Sequence, residues 1–482
     1  MVMKNYLLIS VLLLLIIIST GTLFLSGCTA EKDVRPNFIV FLVDDLGWID
    51  TGCYGSAYYE TPVIDMLASQ GMRFTNAYSA HPVCGPSRAA LLSGKTPARL
   101  GNLNVGGNLK PEEKTIAEVM KEAGYVTFFA GKWHLGMKTG QKPGDQGFDY
   151  AVGFNHGGQP GSYFYPYRDN PGARGLDRKA IPAFDVLGFE NGAPGEFLTD
   201  RLTSETIDFI NQHKDNPFFV YLSHYDVHSP LEGNLEYIQY FEKKNDSIGQ
   251  QSQAELIQIE DRAYCRVNQS NPIQAAKIKS VDQSLGKIMH VLEKLNLEKN
   301  TVIIFTSDNG GSSCLTHKNL NMQTSNSPLR YGKGWLYEGG IRVPALIKWP
   351  GKIIPGSVSD LPICLYDFYP TILDMAGLPL IPSQHQDGES ILAFLNGNSS
   401  SERTMFWYYP FKHGTGHLPS AAVRKGDLKL IWHKKEDRAE LYNLKNDISE
   451  QNELSEEQPE VKKELRLLLD SWIAEMKQYS EN

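Results

Sequence analysis

The chain has 482 residues, of which 41% are hydrophobic and 21% charged, a composition typical of globular proteins. This length predicts one large domain and one smaller domain. With 47 basic and 55 acidic side chains, the formal net charge is −8. General affinity for nucleic acid requires a basic surface, so we expect no nucleic-acid partner. A local basic pocket for an anionic substrate is compatible with this charge.

The N-terminus has the pattern of an export signal. Lys4 precedes an apolar run over residues 6–25. Residues 25–28 (Leu-Ser-Gly-Cys) resemble a bacterial lipobox, in which the cysteine is lipidated after cleavage. We therefore expect a lipoprotein signal peptide over residues 1–28 and a lipid on Cys28. The exported protein would then be held in the bacterial outer membrane or periplasm through its lipid anchor only. The alternative is an uncleaved anchor, because the run approaches membrane-spanning length.

Short apolar runs alternate with amphipathic segments through residues 36–381. Uniformly apolar strands between helices indicate a parallel or mixed sheet covered on both faces. We therefore predict an α/β catalytic domain with a mixed, mostly parallel central sheet flanked by helices. Thr115 and Glu118 form a capping-box pattern. The predicted strands are Phe38–Val43, Val126–Ala130, Phe218–Leu222, Val302–Phe305 and Val343–Trp349. Two predicted helices begin near Pro62 and Thr115. Three others cover about Arg201–Gln212, Ile273–Leu295 and Phe368–Met375.

The pattern changes after about Pro382. Short alternating runs, with a plausible turn at residues 425–427, predict antiparallel strands. We therefore expect a smaller C-terminal α+β domain over residues 382–482. Its predicted elements are the strands Thr404–Tyr409, Ala421–Arg424 and Leu428–His433 and the helix Glu460–Met476.

Two segments, Asn155–Gly195 and Leu231–Asn271, are poor in regular pattern. They are either surface decoration or a rim that shapes the substrate site, because long loops often carry binding residues.

Six cysteines are present in the chain. Apart from Cys28 and Cys84, the remaining four could form two disulfides in an oxidising compartment, with three possible connectivities. No CxxC pair occurs among them, and so we do not expect a zinc site. These four are Cys53, Cys265, Cys314 and Cys364.

Four of the predicted strands are followed at once by polar residues. Ligands of open α/β sheets bind outside the carboxyl ends of the strands. Asp44, Asp45, Asp308 and Asn309 offer only oxygen ligands, which suit Ca²⁺ or Mg²⁺. We favour Ca²⁺, because it tolerates irregular ligand sets better. Both aspartates can reach one ion only if the strand ends before them, because adjacent strand side chains point to opposite faces. Capping of loops is the alternative use of each residue.

Cys84 precedes a predicted helix that Pro86 helps to begin. Backbone N–H groups and the helix dipole favour anions at such a position. A bare thiol there is expected to have a lowered pKa and could act as a nucleophile. The alternative is a structural cysteine in a turn.

Cys84-Gly85-Pro86-Ser87-Arg88 matches a Cys-x-Pro-Ser-Arg signature, and further motifs follow in a characteristic order. On these motifs the chain resembles the formylglycine-dependent (type I) sulfatases, an arylsulfatase-like family of the alkaline phosphatase superfamily. The likeness covers about Pro36–Gly377 and is looser in the C-terminal part, where Leu441–Leu444 resembles the family's closing strand. The further motifs are Ala89–Gly94, Gly131–Gly136, Gly332–Pro344 and the pairs Asp44-Asp45 and Asp308-Asn309.

The resemblance implies that Cys84 is oxidised to formylglycine (3-oxoalanine) by a formylglycine-generating or anaerobic sulfatase-maturating system. Its hydrate would attack sulfur and later expel sulfate by elimination. The implied metal ligands are Asp44, Asp45, residue 84, Asp308 and Asn309. In the implied roles, Arg88 holds the formylglycine oxygen, Lys132 and Lys333 bind sulfate oxygens, His134 takes the diol proton, and His228, for which His224 could substitute, protonates the leaving alcohol.

The expected substrate is a sulfated carbohydrate, such as glycosaminoglycan fragments or algal polysaccharides. Core packing or ordinary surface is the alternative for each subsite candidate. A phosphate- or phosphonate-ester hydrolase of the same superfamily and an inactive glycan-binding lipoprotein are the rival functions. The candidates for a sugar subsite are His156, Gln159, the stretch Tyr163–Tyr167, Lys412, His413 and His417.

Overall fold

A mixed sheet of eight strands lies at the centre of this computed structural model. Asn37–Val43 pairs in parallel with Phe218–Ser223 on one side and with Thr301–Ser307 on the other. Of the eight strands, Ala345–Lys348 alone runs against its neighbours, which confirms the predicted mostly parallel sheet. The strand order is Ser357–Ser359, Met72–Phe74, Ala345–Lys348, Thr301–Ser307, Asn37–Val43, Phe218–Ser223, Val126–Gly131 and Tyr150–Val152. The structure describes residues 35–172, 178–249, 255–259, 262–317, 322–395 and 403–480.

Helices cover both faces of this sheet, as the uniformly apolar strands predict. In the central strand, Phe38, Val40 and Leu42 pack into one apolar core, and the alternate residues pack into the other. The helices before the C-terminal region are Pro62–Gln70, Cys84–Ser93, Ile116–Glu122, Leu198–Gln212, Leu235–Ser247, Pro272–Lys294, Glu338–Ile341, Phe368–Met375 and Leu392–Leu395, with short 3₁₀ turns at Gly52–Tyr54, Pro143–Gln146, Pro182–Phe184, Glu298–Asn300 and Leu365–Asp367.

The predicted capping box is present at the start of the helix Ile116–Glu122. The Glu118 N–H donates to Thr115 Oγ1 at 3.1 Å, and the Thr115 N–H donates to the Glu118 carboxylate at 2.7 Å. Two N–H groups that the helix itself cannot satisfy are thereby paired.

A four-stranded antiparallel sheet forms the C-terminal region. The helix Pro459–Ser480 packs on one face through residues such as Leu469 and Trp472. The opposite face contributes Trp407 and Tyr409 to a core shared with Trp335. The antiparallel sheet is therefore packed against the segment that carries Lys333. The domain boundary at residue 381 stays a prediction. The strands are Thr404–Tyr409, Ser420–Lys425, Leu428–His433 and Arg438–Asn443.

The segment 231–271 is more regular than its sequence indicates, and this prediction was wrong. It contains the helix Leu235–Ser247 and the strands Leu256–Ile259 and Ala263–Arg266. The second strand pairs with Cys314–Leu315, far away in the chain. Such strands are defined by distant pairing rather than by their own short pattern.

Within the described residues, the disulfide Cys265–Cys314 joins the edge strand Cys314–Leu315 of this three-stranded sheet to its middle strand, Ala263–Arg266. Of the cysteines that the structure describes, Cys53, Cys84 and Cys364 are free. One of the two conceivable disulfides is therefore present in the described part of the chain. A shorter two-stranded sheet pairs Ala77–Tyr78 with Ile363–Cys364.

The predicted signal peptide, residues 1–28, and the lipidated Cys28 lie outside the described residues. Within the part of the chain that the structure describes, no helix combines the length and the apolar character needed to cross a membrane.

Candidate active site

The central strand ends at Val43, immediately before the two aspartates. Asp45 has a left-handed backbone with φ of 60°, which interrupts the alternation of side chains along the strand. The Asp45 N–H donates to Asp308 Oδ1 at 3.1 Å, and the Asp44 N–H donates to Asp226 O at 2.8 Å. The turn therefore brings both carboxylates to the same edge of the sheet as Asp308.

Cys84 is the common member of two clusters of potential metal ligands. Ligand atoms of Asp44, Cys84 and Asp308 all lie within 4.8 Å of one another, and the same holds for Asp45, Cys84 and His228. Residues that are separated by up to 264 positions in sequence thus meet at one buried point. The sequence places these side chains after separate strands, and the sheet brings them together.

Two buried oxygen atoms in this site have no hydrogen-bond partner: Asp44 Oδ1 and Asn309 Oδ1. A buried acceptor without a partner is costly and calls for a ligand. The Asn309 amide nitrogen already donates to Asp45 Oδ1 at 2.8 Å, which orients the amide oxygen. Carboxylate and amide oxygens are the donors that a hard cation prefers, so these residues fit a divalent ion.

Three buried cations pair with the three carboxylates. Lys132 Nζ lies 2.6 Å from Asp44 Oδ2, and Lys333 Nζ lies 2.7 Å from Asp45 Oδ1. The Arg88 Nε donates to Asp308 Oδ2 at 2.8 Å, and its Nη1 donates to Lys132 O at 2.9 Å. The guanidinium is therefore held between two strand ends by charge-assisted bonds.

The pKa values of the two aspartates are shifted in opposite directions. Burial raises the pKa of Asp44 well above its usual value, although Lys132 opposes this shift. Burial also pushes the pKa of Asp45 upward, but Lys333 and His228 outweigh it and hold that pKa below the ordinary value.

The Cys84 thiol is not activated by its position. The helix Cys84–Ser93 begins at this residue, but the side chain is buried, and burial raises its pKa although Lys132 and Lys333 oppose the shift. The lowered pKa expected from the helix terminus is therefore wrong, because desolvation of the thiolate outweighs the nearby positive charge. Packing is tight here, since a Cβ on Gly85 would lie 2.5 Å from Val105 O.

Two histidines flank the site. His228 Nε2 lies 3.7 Å from Asp45 Oδ2, and both His228 and His134 line the same cavity as Cys84. Burial, together with Lys333, lowers the pKa of His228. His224 instead contacts Ser284 Oγ at 2.9 Å and does not line the cavity, so it is not placed to exchange roles with His228.

A cavity of about 410 Å³ opens above Cys84. Gln159 and His413, two of the sugar-subsite candidates, line it, and Gln159 Oε1 accepts from Ser229 Oγ at 2.9 Å. Sequence reasoning missed three apolar side chains and one amide side chain of this wall. Phe184 belongs to the segment suspected of forming a rim, but no local signal identified the others. The residues missed are Val105, Phe184, Leu315 and Gln323.

The other subsite candidates lie outside this cavity lining. His156 and Lys412 are exposed. His417 is buried, stacks on Tyr409 with ring centroids 4.7 Å apart, and contributes to packing. In the aromatic stretch, Tyr163 is buried and its hydroxyl donates to His228 O at 2.9 Å.

Comparisons with known proteins agree with this geometry. The Sulfatase family model matches residues 36–378, and the model described as N-sulphoglucosamine sulphohydrolase, C-terminal, matches residues 329–478. The N-acetylgalactosamine-6-sulfatase of Canis lupus familiaris is 32% identical, with 82% of this chain and 72% of that protein covered. A sulfatase of Formosa agariphila is 31% identical, with 90% and 87% covered.

Solved structures share the fold. A crystal structure of Ps i-CgsB in complex with k-i-k-neocarrahexaose is similar with a TM-score of 0.74 and 31% identity, covering 91% of this chain and 93% of that one. The PsFucS1 sulfatase from Pseudoalteromonas sp. is similar with a TM-score of 0.72 and 27% identity, covering 94% and 93%. The chain therefore belongs to the sulfatase family, within the alkaline phosphatase superfamily, and is a sulfuric ester hydrolase.

Proposed function

We propose that this chain hydrolyses sulfate esters of glycans, with formylglycine at position 84 as nucleophile and one bound calcium ion. The observation that carries the proposal is the convergence of Cys84 with Asp44 and Asp308 on one side and with Asp45 and His228 on the other. A structural cysteine has no need of three carboxylates and a histidine around its sulfur.

The proposed calcium ligands are the side-chain oxygens of Asp44, Asp45, Asp308 and Asn309, together with residue 84. Asp44 Oδ1 and Asn309 Oδ1, which have no hydrogen-bond partner, support this set. The donors come from two strand ends in an irregular arrangement, which Ca²⁺ tolerates better than Mg²⁺. The bound ion supplies Lewis-acid activation of the nucleophile and neutralises charge on the sulfate.

Formation of formylglycine requires a maturating system of the host, either the formylglycine-generating or the anaerobic type. The hydrated aldehyde supplies an oxygen nucleophile and a second hydroxyl through which sulfate can be expelled. The raised pKa of the Cys84 thiol supports this chemistry, because an unmodified buried thiol would be protonated and unreactive at neutral pH.

The buried cations stabilise the anionic transition state. Lys132 and Lys333 reach the site beside Asp44 and Asp45, and we assign them to the sulfate oxygens. Arg88 holds the oxygen at position 84, and its bonds to Asp308 and to the Lys132 carbonyl keep it in place. Donors that are already oriented lower the barrier without reorganisation during the reaction.

The two histidines move protons at opposite steps. His228 lies in the cavity wall, where an ester oxygen of the substrate would enter, and we assign it to protonate the leaving alcohol. His134 lies beside Cys84 in the same cavity, and we assign it to accept the diol proton when sulfate is expelled. Unchanged turnover of an unactivated sulfate ester in His228→Ala would contradict the first assignment.

The cavity favours a sugar as the alcohol part of the ester. Gln159 and His413 offer polar contacts, and Phe184 and Leu315 offer apolar surface against which the ring of a sugar can pack. The likeness to the complex with k-i-k-neocarrahexaose supports a glycan substrate. His156 and His417 are not part of this proposal, because one lies outside the cavity and the other is buried in packing.

We also propose export and lipid anchoring through Cys28, with the sulfatase acting on glycans outside the cytoplasm. The likeness to a sulfatase of Formosa agariphila supports a bacterial setting. Metabolic labelling with a fatty acid tests the anchor. Label on the wild type that is absent from Cys28→Ala is expected, and an unlabelled wild type would contradict the anchor alone.

Mass spectrometry of the tryptic peptide Phe74–Arg88 from the native host tests the nucleophile. We expect the mass of the aldehyde or its hydrate, and thiol alone would count against the mechanism. Matched aryl sulfate and aryl phosphate esters should then be compared, with Cys84→Ala as control. Faster turnover of the phosphate ester would favour the rival phosphate- or phosphonate-ester hydrolase, and no turnover of either by the aldehyde form would favour the glycan-binding alternative.

A further inference from the structure

A fully buried lysine lies behind the wall that carries His228. Lys277, in the second turn of the helix Pro272–Lys294, has no exposed surface. Its Nζ donates to His228 O and, at 3.1 Å, to Pro230 O. The ammonium therefore binds two backbone carbonyl groups, one on each side of Ser229. One of them belongs to His228, the proposed general acid.

Two further contacts complete this support. Lys277 Nζ lies 3.5 Å from Asp226 Oδ1 and 3.8 Å from the centroid of the Tyr163 ring. Asp226 is also buried and accepts from Thr199 Oγ1. The positive charge is thus balanced by one carboxylate and by the face of an aromatic ring.

The same segment is attached to the metal-site strand from the other side. The Asp44 N–H donates to Asp226 O at 2.8 Å, and the Val227 N–H donates to Asp44 O at 2.7 Å. The Tyr163 hydroxyl donates to His228 O at 2.9 Å. The backbone of His228 is therefore positioned between the central strand and the helix that carries Lys277.

Burial of an ammonium costs free energy, because the charge loses its hydration. An apolar side chain of similar volume would fill the same space without this cost. The ammonium does what an apolar side chain cannot, since it donates to two carbonyls of one short segment and fixes their direction. Helix packing alone does not require those bonds.

We propose that Lys277, paired with Asp226, is a positioning residue that holds the His228 imidazole at the distance from the ester oxygen that proton donation requires. This inference rests on the proposed role of His228. It predicts that loss of Lys277 slows the hydrolysis of esters whose leaving group needs an acid and spares esters whose leaving group does not.

The test compares sulfate esters whose leaving groups differ in basicity. The nitrophenolate of a nitrophenyl sulfate leaves without help from an acid, whereas the alcohol oxygen of an alkyl or sugar sulfate must be protonated as it leaves. General acid catalysis contributes about 10²–10⁴-fold to such reactions. In Lys277→Met we expect kcat for the unactivated ester to fall by about 10–100-fold, while kcat for the nitrophenyl ester changes by less than about threefold.

Three variants separate positioning from general damage. Lys279→Met is the matched control, because Lys279 is on the same helix but lies 5.2 Å from the Tyr240 ring at the surface. Lys277→Arg, which keeps the charge and donors, should recover part of the lost rate. The double variant Lys277→Met with Asp226→Asn leaves no unpaired charge and carries the same test if Lys277→Met folds poorly.

The variant His228→Gln separates the acid role of His228 from the positioning role of Lys277. A steeper dependence on leaving-group basicity in both His228→Gln and Lys277→Met, with unchanged calcium content and aldehyde occupancy, supports the inference. Equal losses on both esters in Lys277→Met, with a steep dependence in His228→Gln, overturn the positioning role alone. No steepening in His228→Gln overturns the acid assignment and the positioning role with it.

Discussion

Replacement of Lys429 by methionine should show how much the buried ion pairs between the C-terminal sheet and the catalytic region contribute to the free energy of unfolding. Lys429 is fully buried, and its Nζ donates to Glu338 Oε1 and to Glu450 Oε1, each at 2.8 Å. Glu338 follows the segment that carries Lys333 and also accepts from Arg342 Nε at 2.6 Å. Lys429→Met would leave two buried carboxylates facing each other with one fewer cation between them.

The expected loss is about 3–5 kcal/mol in the free energy of unfolding, the range for removal of one partner from a buried ion pair. The matched control is Lys425→Met on the adjacent strand. Lys425 pairs with Glu464 at 2.9 Å, with side chains 36% and 62% exposed, and such surface pairs are worth about 0–1 kcal/mol. Urea midpoints of both variants at one pH provide the comparison.

The loss of unfolding free energy in Lys429→Met should also depend on pH. Burial raises the pKa of Glu450 to about 7, although Lys429 opposes the shift. A carboxyl whose folded pKa lies above its unfolded value of about 4.3 destabilises the fold as pH rises between the two values. Without Lys429 the folded pKa rises further, so this window extends above pH 7 and the loss should be larger at pH 8 than at pH 5.5.

A second substitution checks the cause. Glu450→Gln in the Lys429→Met background removes one of the two facing charges and should recover much of the stability at pH 8. The reasoning is refuted if Lys429→Met costs no more than Lys425→Met at pH 8, or if its loss is the same at both pH values.

Three further predictions concern the site and its wall. Removal of metal with EGTA should abolish turnover, and Ca²⁺ should restore it at lower concentration than Mg²⁺; full activity after exhaustive chelation would contradict the metal proposal. His413→Ala should raise KM for a sulfated oligosaccharide by about 2–10-fold, the value of one hydrogen bond, and leave a small aryl sulfate unaffected; equal effects on both would exclude a sugar contact. The Cys265–Cys314 disulfide closes a 49-residue separation, so the double serine variant should lose about 2–4 kcal/mol in urea unfolding, and an unchanged midpoint would contradict this.

Local patterns in the sequence were sufficient for the main strands of the central sheet and for several of its flanking helices. Residues 38–43 of the strand Asn37–Val43 are buried on both faces of the sheet, and a run of apolar side chains satisfies that environment. Proline at the start of the helix Pro62–Gln70 and the Thr115 capping box act within one helical turn. Such features depend on neighbouring residues and are therefore readable along the chain.

The site was partly readable for a related reason. Polar residues directly after apolar strands must lie at the carboxyl edge of the sheet, so Asp44, Asp308 and Lys132 could be grouped before their distances were known. The resemblance supplied the chemistry that we propose for Cys84. It did not supply the raised pKa of its thiol, which depends on how completely the surrounding structure excludes water.

The tertiary structure alone decided the contacts between residues that are far apart in the chain. Lys277 reads as one more polar residue of an amphipathic helix, yet it faces the carbonyl of His228. Cys265 had three candidate partners and bonds to Cys314, and Phe184 and Leu315 meet in one cavity wall. The sequence alone determined the strongly apolar strands, the amphipathic helices and the residue types that carry the chemistry, because those features are local. Long-range packing alone determined which side chains face one another, because that choice depends on how whole elements fit together and on the water they exclude.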